Sequence, residues 1–215
     1  MEPSLIIGKP KKYTLFFIVN LNLLIPALGY ILGIGFTLGI FVLIRNFLGE
    51  SYYLIPIGIG SIITYAVAIY LIPVINGNPW VSRLVKKTLE MDSLDGNAVI
   101  CQIKFTPQLH GGIRGFIEDA DDVGYIQFGD ESISFSGDQI QLVLPYSSLK
   151  SYSHFNAGWR GLWLTGRKIR IETDAFEGYE FIEFYERQST TVLTSRKISA
   201  ALINEFERIP EIKKI

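Results

Sequence analysis

Apolar and polar positions are distributed very unevenly along this chain. Positions 13–44 contain no charged residue and neither do positions 51–82, so each run is 32 residues long. A membrane-spanning helix needs about 20 mainly apolar residues, and the pattern predicts two spans, near 23–44 and 53–74. As a single helix the first run would extend about 48 Å, against about 30 Å of hydrocarbon. Either 13–22, with Asn20 and Asn22, is an interfacial segment and Pro26 a kink point, or the whole run is one tilted helix. A pair of buried helices in a soluble bundle is the competing reading, and the missing polar face speaks against it. The first run is also too long for the apolar core of a cleaved leader, which makes it a retained anchor.

Basic residues orient the hairpin. Lys9, Lys11 and Lys12 precede the first run, Arg45 stands alone between the two, and Arg83, Lys86 and Lys87 follow the second. This distribution predicts a multi-pass inner-membrane protein with both termini cytoplasmic. Gly29 and Gly33, and Gly35 and Gly39, are spaced four apart, which suits close helix packing within the hairpin or between two copies. A short amphipathic helix follows from Asn78-Pro79. Trp80, Val81, Leu84 and Val85 share one face, with Arg83, Lys86 and Lys87 on the other. It reads either as an interfacial anchor or as a linker leaning on the next domain.

From about residue 97 the period shortens. Polar and apolar residues alternate at 132–136, the signature of a half-buried strand, and turn residues bracket it at 129–130 and 137–138. Further strands are expected at 97–105, 123–128, 139–144, 149–155, 162–165 and 168–172. Segment 179–186 is ambiguous: its Glu spacing suits a helix, while its aromatic content suits a strand. One amphipathic helix closes the chain, with Ile198, Leu202, Ile203 and Phe206 on its apolar face and Thr194 or Ser195 as its cap. Three parts follow: a membrane hairpin at 1–77, a juxtamembrane helix and linker at 78–96, and a mainly-β domain at 97–215.

The strings GYIQF (124–128), LPYSSLKSY (144–152), LWLT (162–165) and IRIET (169–173), followed by the helix, occur in an order that resembles the GRAM and bacterial PH-like family. The resemblance covers roughly 97–208 and rests on hydrophobic spacing and turns. It implies about seven strands in a strongly bent sheet, one open end plugged by the C-terminal helix, and an adaptor that binds lipids, peptides or proteins. The long loop 106–122 departs from the compact versions. The basic first hairpin of lipid-binding PH domains is also missing, since that region offers only Lys104 and Arg114.

Composition limits the chemistry. The apolar share is 48% and the charged share 19%, and mean hydropathy is +0.28. Net charge is −1, which argues against a nucleic-acid partner. One cysteine, Cys101, and two histidines leave no basis for a disulfide framework or a metal site. Residues 91–215 carry 13 basic and 18 acidic side chains, so the β domain is acidic overall. Within it Arg160, Arg167, Lys168 and Arg170 lie beside Trp159 and Trp163, a candidate anion or lipid-headgroup patch or simply a solvated hairpin face. The acidic run 118–122 lacks calcium-loop spacing and reads as a solvated loop. No nucleophile and base stand at a recognisable spacing, and no cofactor is expected. The sequence thus points to a non-enzymatic, membrane-anchored binding or scaffold module. Its expected partners are the lipid bilayer and a protein or a second copy. Two alternatives stay open: an accessory subunit of a membrane complex that uses the hairpin as its interface, and headgroup binding near 160–170.

Overall fold

The computed structural model describes residues 2–9, 25–48, 59–60, 78–88, 98–109, 120–156, 166–209 and 212–214. Nine strands make one sheet: β1 Ser4–Ile7, β2 Val99–Thr106, β3 Asp122–Phe128, β4 Ser132–Gly137, β5 Ile140–Pro145, β6 Leu149–Asn156, β7 Arg167–Thr173, β8 Phe181–Glu186 and β9 Lys213–Lys214. Their order is β1-β5-β4-β3-β2-β8-β7-β6-β9. All neighbours are antiparallel except β6 and β9.

Connectivity forces the sheet to curl. β5 and β6 are six places apart in the strand order, about 29 Å if the sheet were flat. Yet only the 3-10 turn Tyr146–Ser148 joins them, a link of at most about 14 Å. The inner face closes around Ile103, Phe105, Ile126, Phe135, Leu142, Leu144, Ile171 and Phe184. The last helix, α3 (Val192–Glu207), lays Leu202, Ile203 and Phe206 into this core. The Phe206 ring meets Phe128 edge-on at 5.1 Å and stacks on Tyr152 at 5.9 Å. Its cap is Thr191, whose hydroxyl accepts from the Thr194 amide at 3.1 Å, in place of the expected Thr194 or Ser195.

Two more helices are described. In α2 (Asn78–Thr88) Val81 and Val85 are buried and the helix packs against β3. Val81 and Val85 therefore serve the core beneath the sheet. α1 (Ile25–Leu48) runs for 24 residues, and Ile31, Leu38, Val42, Leu43 and Phe47 along it are exposed.

The expected fold class, a transmembrane hairpin plus a PH-like domain, is corrected to a mainly-β chain of one curled nine-stranded sheet with helices. Among the described residues no helix is long and apolar enough to cross a membrane. Of the second expected span, 53–74, only Ile59 and Gly60 are described. The expected multi-pass inner-membrane location with cytoplasmic termini is withdrawn on the same finding.

Candidate functional site

Strand β7 divides its side chains by alternation. Ile169, Ile171 and Thr173 face the core, while Lys168, Arg170 and Glu172 face outward. The register places Arg170 between Ser153 of β6 and Glu183 of β8. Its Nη2 donates to Glu183 Oε1 at 2.6 Å and its Nε donates to the same oxygen at 2.9 Å. Phe155 and Phe181 lie on the diagonals, and each ring centroid is 5.1 Å from the Arg170 guanidinium carbon. The cation is therefore sandwiched by two aromatic rings and fixed by a carboxylate.

The environment sets what this pair is worth. Glu183 is 8% exposed and Arg170 41% exposed at the side chain. An exposed ion pair contributes less than about 1 kcal/mol. Here the carboxylate is dry, so removing the guanidinium would leave a buried charge uncompensated. Each cation–π contact adds about 0.5–1 kcal/mol at such a surface. Phe155 remains 37% exposed, so the clamp forms part of the outer surface.

At the end of β6 and β7, Arg167 Nη1 lies 3.4 Å from His154 Nε2. Partial burial, then the Arg167 and Lys214 charges, hold the His154 imidazole below its ordinary value. Tyr152 Oη donates to Glu207 Oε1 at 3.3 Å, and Lys214 Nζ donates to it at 2.6 Å. That lysine contact lowers the Glu207 carboxyl. The outer face near 167–174 is mixed in sign: Lys150 meets Asp174 at 3.3 Å, and Ser151 Oγ donates to Glu172 at 2.7 Å.

Three further acidic groups are buried, and two of them, Asp121 and Asp122, end the run 118–122 that was expected to be a solvated loop; of that run only 120–122 lie among the described residues. Asp121 accepts from the Phe105 amide at 2.7 Å and the Leu109 amide at 3.1 Å. Asp122 accepts from the Val123 amide at 2.8 Å and from the Gln139 and Ile140 amides, both at 2.7 Å. Glu186 accepts from Ser189 Oγ at 2.5 Å, from Ser195 Oγ, and from the Gln188 and Ser189 amides at 3.1 Å. Asn78 Nδ2 donates to the Ser189 carbonyl at 2.9 Å, which ties α2 to this cluster. Cys101 is fully buried, and burial followed by the Glu186 charge pushes its thiol far above the usual range. Among the described residues no group of His, Cys, Asp and Glu is placed to hold a metal ion.

Of the residues singled out from the sequence, Arg167, Lys168 and Arg170 fall together on β7. Arg160 and Trp159 lie outside the described residues. Arg83, Lys86 and Lys87 are exposed on α2, and only the backbone of Trp80 is described. Gly29 and Gly33 are helical, and a Cβ added at Gly35 or Gly39 would meet no described atom within 4 Å. The close approach occurs instead at Gly60, where a Cβ would lie 3.0 Å from Thr37 Cγ2. Phe155, Phe181 and Glu183 were not legible as site residues. They come together only through the β6-β7-β8 register, and the sole local signal was alternation in the ambiguous 179–186 segment.

No protein-family model matches the chain, and no curated protein matches it.

Proposed function

We propose that this chain is a non-enzymatic binding or scaffold module of PH-like build, and that its docking surface is the outer face of β6, β7 and β8. The curled sheet and the helix that fills it are consistent with the GRAM and PH-like resemblance. The single observation that carries the reading is the Arg170 clamp. Aromatic rings and arginine are the groups that dominate protein–protein hot spots. Here they are held rigid in advance, so little side-chain entropy is lost when a partner docks.

The same clamp favours a protein over an anionic headgroup. Glu183 already compensates the Arg170 charge, and Glu172 and Asp174 stand nearby. A non-enzymatic role is supported by what the buried acids do. Asp121, Asp122 and Glu186 direct their oxygens to backbone amides and serine hydroxyls, which leaves them unsuited to proton transfer with a substrate.

A photoreactive phenylalanine analogue at position 155 tests this in the native host. The expected result is a discrete protein adduct, another chain or a second copy, that is lost when Arg170→Glu is added. Adducts with lipid alone, or protein adducts unchanged by Arg170→Glu, would overturn the reading.

A further inference from the structure

The two ends of the sheet are guarded differently. At one end β9 carries Lys213 and Lys214, both exposed, and charges of this kind keep one strand edge from pairing with another. At the other end β1 presents Leu5, Ile6 and Ile7 with no charge among them, and Ile6 is 60% and Ile7 45% exposed. Register fixes which of its backbone groups face outward. Ser4, Leu5, Ile6 and Ile7 lie opposite Val143, Leu142, Gln141 and Ile140, and the Gly8 amide donates to the Gln139 carbonyl at 2.7 Å. In an antiparallel ladder every second residue bonds to the same neighbour. Ser4, Ile6 and Gly8 therefore serve β5, while Leu5 and Ile7 turn their N–H and C=O groups away from it. Among the described residues no strand pairs with that outer edge.

We propose that this edge docks β1 of a second copy of the chain, antiparallel, about a two-fold axis that passes between the two Ile6 residues. The contact extends the sheet from one copy into the other, at the end of the strand order away from the Arg170 face. Such an axis sets a residue opposite itself or opposite one of the same alternation. Centred on Ile6, it sets Ile6 against Ile6 and Leu5 against Ile7 of the second copy, apolar on apolar. Leu5 and Ile7 are also the residues whose outward backbone groups can exchange both bonds. Pro3 then lies opposite Lys9; it has no N–H to offer, and its carbonyl accepts from the Lys9 amide.

The neighbouring registers fit less well. Centring on Leu5 sets Pro3 against Ile7 and loses a donor, and centring on Ile7 sets Leu5 against Lys9 and Ile6 against Gly8. Charge agrees with the antiparallel sense. Glu2 and Lys9, both exposed, flank the strand, so each copy brings its acidic end to the basic end of the other. A parallel arrangement would bring like charges together. Four residues a side is well below the about 20–30 of a standard interface, so the contact is transient and is best read by trapping it.

Mild oxidation of the full chain carrying Ile6→Cys does this. Two facing residues of a non-hydrogen-bonded pair have Cα atoms about 4.5 Å apart, within disulfide reach. The expected product is a disulfide-linked species of twice 24.2 kDa. Leu5→Cys and Ile7→Cys, each alone, should give little of it, because their counterparts lie two residues out of register, more than about 7 Å away. Cys101 is fully buried and does not compete. Adding Ile7→Pro to Ile6→Cys removes an outward donor and no bond to β5, and it should abolish the species. An Ile6→Cys chain that stays monomeric would overturn the proposal. So would equal cross-linking at positions 5, 6 and 7, or cross-linking that persists with Ile7→Pro. Oxidation in host cells that joins the Ile6→Cys chain only to a different protein would overturn it as well.

Discussion

The Asp122 corner and the Glu183 face each bury a carboxylate in the same sheet, and the fold satisfies the two in opposite ways. Asp122 receives three backbone N–H donors and, among the described residues, no cationic partner. Glu183 receives one guanidinium at the surface, clasped by two aromatic rings. A carboxylate held by main-chain donors fixes strand geometry and offers nothing to a partner. One held by an exposed arginine presents a rigid, chemically mixed surface. These two buried carboxylates therefore do different jobs, and only the second supports a group that reaches the surface.

The largest effect should come from the corner. Asp122→Ala leaves three buried amides without an acceptor, and the expected loss is about 3–5 kcal/mol in urea unfolding. Phe206→Ala, which empties the plug between Phe128 and Tyr152, should cost a similar 3–5 kcal/mol and serves as the apolar reference. A corner variant that costs under 1 kcal/mol would erase the contrast. Arg170→Ala should cost about 2–3 kcal/mol by stranding Glu183. Adding Glu183→Gln to it should recover part of the loss, since the stranded charge is gone. Phe155→Ala should cost under about 1 kcal/mol, as befits a half-exposed ring, while weakening partner capture most.

The pH dependence separates the regions by sign. The Asp122 carboxyl is raised in the folded state, to about 6. Its contribution is fully present below pH 4 and is lost as pH rises through 6, by about 3 kcal/mol. His154 is lowered in the folded state. Its contribution is present above its ordinary value of 6.5 and is lost as pH falls. Unfolding midpoints of Asp122→Asn and His154→Gln between pH 4 and 8 should flatten opposite limbs of the wild-type profile.

Strands were legible wherever one face is wet. Ser132, Ser134 and Ser136 alternate with Ile133 and Phe135, and β4 lies there. Segment 179–186 was ambiguous because the spacing of Glu180, Glu183 and Glu186 suits a helix while its aromatic content suits a strand, and the structure forms β8 there with Glu183 and Glu186 both bonded. Their partners lie 13 residues back and 3 to 9 residues ahead, so composition alone cannot distinguish a bonded carboxylate from a wet one. The acidic run ending at Asp122 misled for the same reason, since all but one of its donors come from 12 to 18 residues away. Strand β1 has too few residues to show a period. The charge-free runs 13–44 and 51–82 report how apolar those segments are, not what surrounds them. Hydropathy therefore supported a membrane hairpin that the described helices do not reproduce. The basic cluster on β7 was legible as a cluster, but its neutralisation was not, because Glu183 arrives from another strand.

The claim that Arg170 is spent on Glu183, and so docks protein rather than anions, can be tested by co-sedimentation with vesicles rich in anionic lipid at 50 and 200 mM salt. The account predicts no salt-sensitive binding by the wild-type chain and its appearance in Glu183→Gln, which frees the guanidinium. Salt-sensitive binding by the wild-type chain that is lost in Arg170→Gln would contradict it.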